Sequence, residues 1–207
     1  MVKVKICGIT NLEDALHAVA CGADALGFVF YEKSPRCIEP EQARKFIAAL
    51  PPFVTSVGLF VNERPERIAE VAELCGLGLI QLHGDEQPAD CLIPGRRVIK
   101  ALRVRDEQSL ERAADYAVAG LLLDAWVPGA YGGTGHTFNW QLAASVARQR
   151  PVILAGGLTA ENVAEAVKAV RPYAVDASSG VEAVPGRKDP QKVAAFISNA
   201  KAVMCDP

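Results

Sequence analysis

The sequence predicts an α/β protein, a single (β/α)₈ barrel. Three observations point there. Short apolar runs of strand length alternate with amphipathic stretches of helical period along the whole chain. The strand-like runs number eight. With 207 residues in all, eight β–α units leave little length for further elements. Alternation implies parallel strands, because parallel neighbours need long crossovers and helices supply them. An open doubly wound sheet is the competing arrangement, and periodicity alone does not separate the two.

The strand-like runs are V-K-V-K-I-C from Val2, A-L-G-F-V-F from Ala25, S-V-G-L-F-V from Ser56 and G-L-I-Q-L-H from Gly78. They continue with V-I-K-A-L-R from Val98, G-L-L-L-D from Gly120, V-I-L-A-G from Val152 and A-V-D-A-S from Ala174. Between the first two, Leu12, Ala15, Leu16, Val19 and Ala20 recur at the spacing of one helix face. Thr10 and Glu13 have capping-box spacing at its start, and Gly22 suits its end. Val163, Ala166, Val167 and Val170 repeat the pattern, as do Val193, Phe196, Ile197 and Ala200. The latter set follows Asp189-Pro190, a cap and the favoured first-turn proline. No linker-like shift in composition interrupts the series, so residues 1–207 read as one domain.

Composition narrows the class. Half the residues are hydrophobic, 22% are charged and the net charge is -2. That balance offers nothing to attract a nucleic acid or an anionic membrane. The N-terminus lacks the apolar core of a signal peptide, and no run approaches the roughly 20 apolar residues of a membrane span. A cytoplasmic protein is expected. Its six cysteines, Cys7, Cys21, Cys37, Cys75, Cys91 and Cys205, include no C-x-x-C pair and read as free thiols. His17, His83 and His136 lack metal-ligand spacing, so neither a metal nor another cofactor is expected. His17 reads as structural, whereas His83 stands at a strand end where it can line a site.

In a barrel, catalytic groups come from the C-terminal ends of strands and the loops that follow. Those positions hold Cys7-Gly8, Ser34-Pro35-Arg36, Gln81 to Gly84, Asp124, the Gly132–Gly135 loop, Gly156-Gly157 and Asp176 to Gly180. Gly156 and Gly157 let backbone approach an anion closely, and Ser178, Ser179 and Gly180 add hydroxyl and N–H donors on the neighbouring strand. Together they match a phosphate site after strands seven and eight; each loop alone reads equally as a tight turn or a cap. Asp124 closes an apolar run, where a carboxylate is costly unless hydrated, paired or used as an acid. Cys7, taken alone, reads as a structural thiol or as a proton acceptor or nucleophile. Arg36 can pair bidentately with a carboxylate or stand solvated.

These residues sit in a series of motifs. K-I-C-G-I-T at Lys5, S-P-R at Ser34, V-G-L-F-V-N at Val57 and Q-L-H-G-D-E at Gln81 come first. G-G-T-G-x-x-F-x-W at Gly132, L-A-G-G-L-T-x-x-N-V at Leu154, D-A-S-S-G-V-E at Asp176 and P-G-x-K-D at Pro185 follow. In this order and over this length the chain resembles the phosphoribosylanthranilate isomerases. The resemblance implies the barrel fold and an Amadori rearrangement in tryptophan biosynthesis, by general acid–base catalysis on a small phosphosugar-anthranilate substrate. It implies Asp124 as general acid, Cys7 as general base, and Arg36 as partner of the anthranilate carboxylate. Gly157, Ser178 and Ser179, with Gly156 and Gly180 beside them, are implied as the phosphate site. A monomer or a homodimer fits equally. The competing readings are another phosphosugar barrel, either a metal-dependent epimerase, for which the metal set is missing, or a related sugar isomerase, which would carry aspartate in place of Cys7, and a non-catalytic phosphate-ligand binder, which would lack Cys7 or Asp124.

Overall fold

The computed structural model describes residues 1–125 and 140–203. The Gly132–Gly135 loop, His136 and Cys205 lie outside the described residues. Eight parallel strands close on themselves in sequence order, so the closed barrel stands and the open sheet does not. They are β1 (Lys3–Cys7), β2 (Ala25–Val29), β3 (Thr55–Phe60), β4 (Leu79–Leu82), β5 (Val98–Val104), β6 (Gly120–Ala125), β7 (Val152–Leu154) and β8 (Ala174–Ala177). The closing pair, β1 with β8, places Lys5 opposite Asp176.

Parallel strands covered on both faces read as nearly continuous apolar runs. Here the outward residues, among them Ile6, Leu26, Phe28, Ile80, Leu82, Leu121 and Leu123, are wholly buried against the helices. Inward residues form a separate interior layer of Ile99, Ala101, Leu122, Ile153, Ala155 and Ala174. Above it Cys7, Val29, Leu59 and Val61 pack together at the mouth. A strand alternates its side chains between faces. The same alternation that buries Val4 and Ile6 outward therefore turns Lys5 and Cys7 inward.

The helices are α1 (Leu12–Ala20), α2 (Pro40–Ala48), α3 (Pro65–Cys75), α4 (Trp140–Ala147), α5 (Val163–Val170) and α6 (Pro190–Ala202). The β4–β5 and β5–β6 crossovers carry 3₁₀ helices, Pro88–Cys91 and Glu107–Asp115. A short antiparallel ribbon, β9 (Glu182–Val184) with β10 (Arg187–Lys188), stands between β8 and α6. The expected faces of α5 and α6 are buried, and Asp189 caps α6 by accepting from the Gln191 and Lys192 N–H groups at 2.9 and 3.1 Å.

Helix α1 departs from expectation. Its cap is Asn11, which accepts from the Asp14 N–H at 2.8 Å, while the Thr10 hydroxyl donates to the Gly186 carbonyl. Its buried face is Asp14, Ala15 and Ala18, and Leu12 and Leu16 are 37% and 43% exposed. Two alanines allow close approach to the barrel. Asp14 turns inward because it accepts the Lys188 backbone N–H at 2.8 Å and the Asn11 amide at 2.7 Å.

Candidate active site

A cavity of about 490 Å³ opens at the C-terminal end of the barrel. All eight residues singled out from the sequence line it: Cys7, Arg36, Asp124, Gly156, Gly157, Ser178, Ser179 and Gly180. Gln81, His83 and Asp176 join them.

Cys7 ends β1, with Lys5 two residues below it on the same face. Gly27 is its register partner on β2. A Cβ at Gly27 would lie 2.6 Å from the Cys7 sulfur and 3.1 Å from Lys5 Nζ, so the glycine makes room for both groups. Lys5 Nζ donates to Asp176 Oδ1 at 2.9 Å, and both side chains are buried. Burial alone would lower the Lys5 pKa, but the Asp176 carboxylate outweighs it and holds the ammonium above its ordinary value. Burial pushes the Cys7 thiol up. Lys5 works against that rise, Asp176 adds to it, and Lys188 opposes it more weakly. Of the neighbours Lys5 favours the thiolate most, yet the thiol still titrates above its usual range.

Asp124 is 5% exposed at the end of β6. The Ala125 N–H donates to its Oδ1 at 2.9 Å, and His83 Nε2 lies 3.2 Å from its Oδ2. That second contact is close but not aligned as a hydrogen bond, and Nε2 has no other partner among the described residues. Gln81 Nε2 stands 3.0 Å from His83 Nδ1. With the amide donating, Nδ1 is the acceptor and the ring proton sits on Nε2, toward Asp124. Gly156 has φ +83, and a Cβ there would meet the Ala125 nitrogen at 2.5 Å and Asp124 Oδ1 at 3.0 Å. A side chain at 156 would displace the acid.

Arg36 is already engaged. Its Nε and Nη2 donate to Glu182 Oε1 and Oε2 at 2.8 and 2.7 Å, a two-point pair. Lys188 Nζ donates to the same Glu182 Oε1 at 3.0 Å and to the Ser178 carbonyl at 3.2 Å. Burial would raise the Glu182 pKa, but the two cations hold the carboxyl below its ordinary value. A Cβ at Gly8 would lie 2.6 Å from Arg36 Cδ, so the arginine stem crosses directly over the residue after Cys7.

The glycine–serine loops meet beside it, where the same Cβ at Gly8 would lie 3.1 Å from Ser178 Oγ. A Cβ at Gly180 would lie 2.0 Å from the Leu158 carbonyl oxygen, which locks the two loops together. Helix α5 begins at Val163, so Gly156-Gly157 lies in the loop ahead of its first turn. Asn162 spans the gap, accepting from the Thr159 N–H and donating to the Gly157 carbonyl, both at 2.9 Å. The 3₁₀ turn Ser179–Val181 follows β8 directly.

Sequence reasoning left His83 and Asp176 without roles and did not single out Glu182 or Lys188, although both lie in the quoted motifs. One signal was available for Lys5 and Asp176: a charged residue at the parity that a barrel strand turns inward. Nothing in the sequence paired them across 171 positions.

Fold and site together define a (β/α)₈-barrel enzyme whose mouth holds a buried thiol and a buried carboxylate on separate walls. The family model for N-(5'-phosphoribosyl)anthranilate (PRA) isomerase matches residues 4–199. The enzyme of that name from Pelobacter propionicus is 61% identical over 201 residues, covering 97% of this chain and 96% of its own. The structure of phosphoribosyl anthranilate isomerase from Thermotoga maritima superposes with a TM-score of 0.92 at 51% identity, covering 98% of this chain and 100% of that one. A further structure of such an isomerase, in complex with reduced 1-(o-carboxyphenylamino)-1-deoxyribulose 5-phosphate, gives 0.89 at 50% identity with the same coverage. The chain belongs to the N-(5'-phosphoribosyl)anthranilate isomerase family. Its reaction is the Amadori rearrangement of N-(5-phosphoribosyl)anthranilate to 1-(2-carboxyphenylamino)-1-deoxyribulose 5-phosphate, in tryptophan biosynthesis. The change is an internal redox step in which C1 is reduced as C2 is oxidised.

Proposed function

We propose that the mouth cavity performs this rearrangement with Asp124 as general acid and Cys7 as general base. The observation that carries the assignment is their placement. Both groups face one cavity, from β6 and β1, which stand three steps apart around the closed barrel. A sugar held between them presents its ring oxygen to one wall and its C2 hydrogen to the other.

Asp124 gives its proton to the ring oxygen, the bond from that oxygen to C1 breaks, and the anthranilate nitrogen completes an iminium at C1. The Ala125 N–H holds one oxygen of the carboxylate that remains, and His83 Nε2 lies 3.2 Å from the other. The Cys7 thiolate then removes the C2 proton, and the electron pair passes into an enolamine. The C2 hydroxyl loses its proton, C1 gains one, and the ketone results. The thiolate is the acting form of Cys7. Lys5 favours it directly, and the substrate iminium brings a further positive charge toward it.

Arg36 receives the anthranilate carboxylate on the edge that Glu182 leaves free. Gly157, Ser178 and Ser179, with Gly156 and Gly180, take the phosphate. Two anchored anions fix the carbons between them, so that binding energy orients the reacting centre. The compound bound by the relative carries both a carboxylate and a phosphate, which supports a site built for two anions.

We take residues 1–207 as one catalytic domain acting on a small molecule in the cytoplasm, as a monomer or homodimer. Among the described residues no helix is long and apolar enough to cross a membrane, and the described cysteines are all free. The test is turnover of phosphoribosylanthranilate made in situ, followed by its fluorescence. Cys7→Ser and Asp124→Asn are each expected to cut kcat by about 10² or more. Near-normal rates in both would overturn the roles. Arg36→Ala is expected chiefly to raise KM.

A further inference from the structure

We propose that Glu182 is the positioning residue that sets how Arg36 reads the substrate carboxylate; the inference rests on the carboxylate role given to Arg36 above. Glu182 is 7% exposed and its two oxygens face two cations from different elements. Arg36 comes from the loop after β2, and Lys188 from β10. The Gly186 N–H adds a longer contact to Oε1 at 3.3 Å. One carboxylate thus joins the arginine to the ribbon beyond the phosphate-side loop.

The geometry has a chemical consequence. A guanidinium has five N–H donors in a rigid plane. Glu182 takes the Nε–H and one Nη2 hydrogen, which fixes the plane and its rotation. The Nη1 hydrogens and the second Nη2 hydrogen remain, and they form the end-on edge of the fork. That edge matches a second carboxylate in one orientation only. Without Glu182 the arginine would present either edge, and its stem, resting over Gly8, would be free to swing away. Glu182 also limits charge. Arg36 and Lys188 carry two positive charges around one negative, leaving a single net positive charge for the incoming anion.

If Glu182 acts through Arg36, its loss is felt only by a substrate that Arg36 reads. The experiment compares phosphoribosylanthranilate with the analogue lacking the carboxylate, phosphoribosylaniline, in wild type, Arg36→Ala, Glu182→Gln, Glu182→Asp and the Arg36→Ala/Glu182→Gln pair. Circular dichroism checks that each is folded. Glu182→Gln is expected to raise KM for the carboxylated substrate about tenfold or more, with a smaller change in kcat. Its KM for the aniline analogue should stay near wild type. Glu182→Asp should recover part of the loss, and the double variant should be no worse than Arg36→Ala alone. Equal losses on both substrates for Glu182→Gln, or an additive double variant, would overturn the proposal. If Arg36→Ala itself fails to distinguish the substrates, the carboxylate role of Arg36 falls first. Should Glu182→Gln not fold, the same comparison on Glu182→Asp decides.

Discussion

Cys7 sits in competing fields. Its burial disfavours the thiolate, Asp176 disfavours it further, and Lys5 and Lys188 favour it. The outcome is a thiol that in the free protein titrates above the ordinary cysteine value of about 8.5. Alkylation of Cys7 by iodoacetamide, followed by mass spectrometry across pH, should therefore reach half its limiting rate above that value. A midpoint at or below it would contradict the balance described. Lys5→Met should move the midpoint higher still. The same change leaves Asp176 buried without its partner, at a cost of about 3–5 kcal/mol in unfolding free energy. Gly27→Ala tests the space beside the Cys7 sulfur. With only 2.6 Å between the new carbon and the sulfur, the thiol must shift, and kcat should fall by up to about 10²-fold. An unchanged kcat would show that the sulfur has room to spare. Local sequence made Asp124 conspicuous, because an acid at the end of Leu121-Leu122-Leu123 asks for a reason. It could not do the same for Cys7, since a small apolar thiol suits a barrel interior without any function.

At the scale of elements, strands were legible and their connections less so. All eight runs fall within two residues of the observed strands, because inward and outward burial impose apolar character at both parities. Helices α5 and α6 were legible for the matching reason, a period set by one buried face. Helix α1 was misread at its cap and on its face, because polar contacts from β10 decide which side turns inward. Hydrophobic spacing carries no trace of such a partner. Asp14 is the residue at issue, and it ties α1 to the ribbon that holds Lys188. Asp14→Ala leaves the Lys188 N–H without its acceptor and should cost about 1–3 kcal/mol. Urea unfolding would measure it, and a loss within a few tenths of a kcal/mol would show the contact to be incidental.

For the whole molecule, Asp24 fastens the start of the barrel to its last helix. Its carboxylate meets Lys3 at 2.8 Å and Lys201 at 2.9 Å, and accepts the Val4 N–H at 2.9 Å. Burial would raise its pKa, but these partners hold it below the ordinary value, and Glu182 is depressed as well. A carboxyl depressed in the folded state adds stability above its unfolded pKa and loses it as pH falls through the folded one. Both contributions are therefore present at neutral pH and fade below about pH 4. Asp24→Asn should lower the unfolding free energy at neutral pH and flatten its acid limb, as followed by urea unfolding at a series of pH values. An unchanged slope would count against the fastening.

The Lys5–Asp176 pair also bears on how the protein is made. Its partners are 171 residues apart, and the strand that brings Asp176 is the one that closes the barrel. While the chain emerges from the ribosome, β1 waits with its lysine unpaired until β8 has followed. Lys5 and the carboxylate that holds it come together only once β8 is made, so an N-terminal length that stops before Ala174 lacks this pair beneath Cys7.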